Sequence, residues 1–278
     1  MRFSLVIGLS LLGSTLPALA QVAAGKPPHL APHRAVYDLS LASSRGARTV
    51  ESARGRIAFD FTGDACEGYA LKFRQVTVID SAESGTKTSD LRTANFESGD
   101  GKSFRFRNDS GTGEGPGQSV DGNAERKPNA PLAVRLKTPK RDSASLDGEA
   151  VFPNTQMRDL IVAAQAGRTT LSMKIFDGSD DGRTVYETLS VIGKRIEPGA
   201  IQALEEPARQ GGLAKLARWP VTMSYFKLGR KDETPVYTLS FDLYENGVSR
   251  ALRLDYGDFA LKGEMTRLEL LPEKPCQR

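Results

Sequence analysis

Between Pro235 and Pro272 apolar and polar residues take turns. Tyr237, Leu239, Phe241 and Leu243 alternate with Thr238, Ser240 and Asp242, so one face of a strand seeks a core. Asn246-Gly247 follows, and both residue types accept positive φ. The pattern therefore predicts a two-residue primed turn that pairs Phe241 with Leu252, Leu239 with Leu254 and Tyr237 with Tyr256, all on one face. Two further apolar runs, Phe259 to Leu261 and Met265 to Leu271, follow short Gly-bearing breaks and extend the antiparallel meander. This stretch offers packing and no obvious reactive group.

The same period recurs upstream. Ala35, Tyr37, Leu39 and Leu41 mark a strand, as do 56–61 and 69–79, with Gly63 to Gly68 as the turn between the last two. Strands at 88–96 and 103–107 flank Ser98-Gly99-Asp100-Gly101. From Val120 to Arg141 alternation is weak and Lys and Arg are frequent, which predicts exposed strands or an irregular connection. The helical period appears once with force. Pro153-Asn154-Thr155 supplies a start, Met157, Leu160, Ile161 and Ala164 a stripe, and Gly167 a stop. This helix is a candidate lid over the open mouth or face of the sheet, and above all is expected to form part of the core. Strands at 171–176 and 184–192 enclose an Asp/Gly turn, Pro198 to Ala217 is polar with room for a short helix, and Trp219-Pro220 opens a strand to Phe226. About twelve antiparallel strands with no repeat and no linker predict one all-β domain, curled into an antiparallel β-spiral or incomplete β-barrel with one internal α-helix.

Composition adds an address. Arg2, the apolar run Phe3 to Leu12 and Pro17-Ala18-Leu19-Ala20 read as a secretory signal over residues 1–20. The apolar run is shorter than a membrane span requires. Residues 21–33 read as a flexible lead-in and 34–278 as the single domain, placed in the periplasm. The chain carries a net charge of +4, and loss of Arg2 lowers it by one, which gives no argument for nucleic acid. Export and two cysteines, Cys66 and Cys276, point to a disulfide between the first hairpin turn and the C-terminal tail, with two unpaired buried thiols as the alternative.

Candidate chemistry is sparse. His29 and His33, the only histidines, sit at the N-terminal edge of the domain, away from any Ser or Cys arrangement a triad needs. Gly111 to Gly117 lacks the Lys-Ser/Thr pair of a phosphate cradle. Asp177, Asp180 and Asp181 lack the ligand spacing of a calcium loop, and the adjacent carboxylates Asp180-Asp181 and Glu205-Glu206 do not define a cleft. No cofactor or metal site is expected, and the reading is of a protein that is not an enzyme.

Tyr37-Asp38-Leu39, Asp64-Ala65-Cys66-Glu67-Gly68-Tyr69, Phe176-Asp177-Gly178-Ser179-Asp180 with Val185-Tyr186, Leu243 to Arg250, Leu254-Asp255-Tyr256 and a cysteine near the end together resemble the EipB family. Its members are alphaproteobacterial periplasmic proteins of cell envelope integrity, and the likeness runs from about residue 33 to 278. The resemblance implies a β-spiral with an internal helix, a Cys66–Cys276 bridge, and a role in the envelope linked to a periplasmic tetratricopeptide-repeat protein. Two functions fit. In one, the concave sheet binds an amphipathic ligand, a lipid or lipoprotein-like molecule, or a protein segment. In the other, the domain is a structural adaptor that works through an outer surface.

Overall fold

The computed structural model describes residues 28–45, 50–83, 85–112, 117–200, 204–209, 212–229 and 234–272. The signal at 1–20, most of the lead-in and Cys276 lie outside the described residues.

Eight strands come first: β1 (His33–Ser44), β2 (Val50–Asp64), β3 (Gly68–Ser81), β4 (Gly85–Ser98), β5 (Ser103–Thr112), β6 (Gln118–Glu125), β7 (Leu132–Thr138) and β8 (Asp142–Leu146). The helix α1 (Pro153–Gln165) follows, then β9 (Thr170–Ile175) and β10 (Tyr186–Ile192). A single-turn helix α2 (Glu206–Arg209) and a 3-10 turn at Leu213–Lys215 lead into β11 (Arg218–Lys227), β12 (Tyr237–Tyr244), β13 (Ser249–Asp255) and β14 (Phe259–Leu270). All the strands form one antiparallel sheet in which β1 joins β2 on one side and β14 on the other, leaving β8 and β9 as the edges. A twisted sheet of this width curls rather than staying flat. The result is an unclosed, barrel-like spiral.

The two edges meet without a full ladder. Val151, just after β8, donates its N–H to the Lys174 carbonyl and accepts the Phe176 N–H, both at 2.9 Å, as a lone parallel bridge to β9. Lys174 Nζ holds Asp147 and Glu149 at 2.8 Å on the same seam. The β9–β10 loop then seats Phe176 among Phe104, Phe106 and Phe152, with the Phe106 and Phe176 rings edge to face at 5.5 Å. Gly178 and Gly182, both at positive φ, let this loop approach: a Cβ on Gly178 would lie 2.3 Å from the Phe106 ring.

Several expectations need correction. The β12–β13 hairpin pairs Leu239 with Leu254 as the pattern requires, but its loop holds three residues, with the Tyr244 N–H bonded to the Val248 carbonyl. Asn246 keeps negative φ because its Oδ1 accepts the Val248 N–H at 3.2 Å and its carbonyl accepts the Ala31 N–H at 2.8 Å. A bulge with Ala251 at φ 50° restores the expected register farther along. Gly263 does not break the last strand: it lies inside β14, where Leu39 and Leu252 pack over it. Residues 120–141 are not an exposed or irregular connection, since Val120, Ala124, Leu132, Val134 and Leu136 are buried in β6 and β7. The lead-in packs where it is described, with Leu30 buried, and His33 opens β1 with its ring stacked 5.1 Å from Phe59.

Candidate functional site

The inner face of the spiral is the candidate site, and α1 occupies part of it. Its stripe does what the spacing implies: Leu160, Ile161, Ala163 and Ala164 are buried against β11 and β12 residues such as Val221, Met223 and Phe241. Leu160 and Ile161 lose essentially all exposure, worth roughly 1.5–3 kcal/mol each by area burial. The start of α1 has no side-chain cap from Phe152. Glu97, on the inner face of β4, caps it instead: its carboxylate accepts the N–H of Asn154 at 2.7 Å, the N–H of Thr155 at 2.9 Å and the Thr155 hydroxyl at 2.5 Å. Arg158, one turn on, stands 3.8 Å away. Only 1% of the Glu97 side chain is exposed, and burial pushes its carboxyl above the ordinary value against the pull of these donors. Gln156 adds a buried bond to the Thr188 hydroxyl at 3.1 Å.

Beyond the helix the inner face is less filled. Phe59 of β2, Leu71 and Phe73 of β3, Leu239 of β12 and Leu252 of β13 point into the core clusters yet stay only half-buried. A line of aromatic rings closes one end of this face: Tyr186, Tyr225, Tyr237, Tyr256 and Phe259 succeed one another with centroids 5.1–6.1 Å apart. Gln75, across on β3, donates to the Tyr256 hydroxyl at 3.1 Å. Burial pushes the phenols of Tyr225, Tyr237 and Tyr256 above their ordinary value, so they remain neutral O–H donors. The arrangement is an apolar concave wall with hydroxyl and amide groups at one rim.

The other candidates take structural places. Asp180 bonds Lys227 at 2.7 Å and the Tyr186 hydroxyl at 2.8 Å, Asp181 accepts the Arg183 N–H, and Asp177 accepts the Ser179 N–H. Glu205 is buried against Arg250, which also meets Asp242 at 2.6 Å, while Glu206 starts α2, so this pair does not act together. Among the described residues no group of three His, Cys, Asp or Glu is placed to hold a metal ion. Cys66 sits in the β2–β3 turn, where Asp64 Oδ1 accepts its N–H at 2.9 Å. Cys276 lies outside the described residues, so the bridge stands as a proposal. Sequence reasoning missed Glu97, whose helix partners are 57 and 58 residues away. The signal available was a carboxylate at an inward position of a strand.

The sequence matches the EipB-like family over residues 24–272. The chain belongs to the EipB-like family. It is 36% identical over 244 residues to the cell envelope integrity protein EipB of Brucella abortus (strain 2308), covering 87% of this chain and 84% of that protein. The crystal structure of a beta-barrel-like protein of the domain of unknown function DUF1849 from Brucella abortus superposes with a TM-score of 0.78 at 35% identity, covering 88% of this chain and 99% of that one. The EipB relative is named for envelope integrity rather than for a reaction. Among the described residues no helix is long and apolar enough to cross a membrane.

Proposed function

We propose that this chain is a non-enzymatic periplasmic protein that maintains the cell envelope by holding an amphipathic molecule, or an amphipathic protein segment, on its concave face. The observation that carries the reading is the half-buried state of Phe59, Leu71, Phe73 and Leu239, which face inward without being fully covered by the protein's own side chains. Such a wall takes an acyl chain, and the neutral tyrosine hydroxyls with Gln75 offer hydrogen bonds to a polar head at the rim. The test is a titration with a fluorescent single-chain fatty acid. Wild type binds it at a one-to-one ratio, and Leu239→Trp, which fills the space from β12, loses binding while keeping its circular dichroism spectrum. No binding to wild type, or equal binding by the filled variant, rejects the reading.

A second reading has its own support. The buried Glu97 cap fastens α1 firmly, as an adaptor with a fixed interior would require, and that adaptor would meet a periplasmic tetratricopeptide-repeat partner through its outer surface.

A further inference from the structure

The outer face of β14, β1, β2, β3, β4 and β5 carries a charged pattern unrelated to the concave wall. Two adjacent rows of outward residues cross these six strands in register. One runs through Arg267, Val36, Ala58, Arg74, Arg92 and Asp109, the other through Glu269, Arg34, Asp60, Lys72, Ala94 and Arg107. The small side chains of Val36, Ala58 and Ala94 leave a trough of about 450 Å³ between the long cationic ones.

The charges in this trough do not cancel. Arg74 and Arg92 share a single carboxylate, Asp90, at 2.9 and 2.8 Å, and together hold it down to about 2. Arg107 pairs with Asp109 at 2.9 Å, and Arg34 lies within 3.5 Å of both Asp60 and Glu269. Among the described residues Lys72 and Arg267 have no carboxylate within ion-pairing distance. Six cations thus face four carboxylates. At ~4.8 Å per strand the rows span about 24 Å, farther than one phosphate group reaches.

We propose that this trough docks the protein on a phospholipid bilayer surface bearing anionic headgroups. Guanidinium forks match phosphate oxygens. The interspersed Asp60, Asp109 and Glu269 suit the ammonium of ethanolamine headgroups, and laterally mobile headgroups can sort themselves over a mixed pattern as a rigid acidic surface cannot. The two unmatched cations supply the net attraction.

The test is co-sedimentation of the mature chain with vesicles of phosphatidylethanolamine and phosphatidylglycerol, against vesicles of phosphatidylcholine. Binding to the anionic vesicles is expected, weakening as salt rises. Each charge near such a surface is worth about a five-fold change, so Lys72→Gln with Arg267→Gln should lower the partition coefficient roughly thirty-fold. Lys194→Gln, in the exposed segment after β10 and outside these rows, should leave it nearly unchanged, well short of the roughly five-fold loss of a charge at the docked face. Circular dichroism confirms that the variants fold. No binding at low salt, equal binding to phosphatidylcholine, or equal loss in the Lys194 variant and the double variant overturns the proposal. Capture of an acidic peptide without any vesicle binding also overturns it and gives the face to a protein partner.

Discussion

Glu97→Ala tests how the internal helix is held. The substitution removes the acceptor for two N–H groups at the start of α1, takes away the partner of the Thr155 hydroxyl, and deprives Arg158, whose side chain is 13% exposed, of the Glu97 carboxylate 3.8 Å away. Burial of the carboxylate opposes the bonds it accepts, so the intact cluster contributes less than the sum of those bonds. Breaking it from one side is different: removing one member of a buried pair costs about 3–5 kcal/mol. Glu97→Gln keeps one carbonyl acceptor for the helix start and loses the charge, so it should cost roughly 1–2 kcal/mol, near the scale of a lost cap. Urea denaturation followed by tryptophan fluorescence reads both, because Trp219, the single tryptophan, lies in the core cluster that α1 joins. A loss below about 1 kcal/mol for the alanine variant, or equal losses for both, would show that acceptance of the helix N–H groups is not what fastens α1.

Two further outcomes follow from the N-terminal edge and the cysteines. Burial against Phe59 and Phe61 holds the His33 imidazole below its ordinary value of 6.5, against the pull of the Ala31 carbonyl and Asp60. Its contribution to stability is therefore present above that value and lost as pH falls through the lower folded one. Melting curves across the acid range should show that loss in wild type, and His33→Phe should flatten it; an unchanged pH profile in the variant contradicts the assignment. If the proposed Cys66–Cys276 bridge forms, it closes a loop of about 210 residues, for which chain entropy gives at most roughly 5 kcal/mol. Cys66→Ser or reductant should then lower the melting temperature, and identical melting of oxidised and reduced protein would remove the bridge from the account.

The legible parts of the fold were those where one short period governs both pattern and packing. Leu239 opposite Leu254 and the α1 stripe at Leu160, Ile161 and Ala164 follow from periods of two and 3.6. The turn length was not legible, because Asn246 gave up positive φ for bonds to Val248 and Ala31, and Ala31 is 215 residues away. In β6 the inward positions are Val120, Gly122 and Ala124, small because the Phe106 ring and Leu136 lie over Gly122, so a hydrophobicity pattern reads faintly there. The candidate site followed the same division. An apolar concave face was readable from alternation, whereas the Glu97 cap and the row of aromatic rings depend on which strands become neighbours when the sheet coils.

The proposed function requires that the concave face carry an amphipathic occupant. Native mass spectrometry of the protein purified from its own cells, with solvent extraction of whatever it carries, tests that most directly. A lipid or similar amphiphile is expected at a one-to-one ratio, and Leu239→Trp should fail to retain it. Clean protein with no bound mass would contradict it and turn the reading toward an adaptor that works through its outer surface.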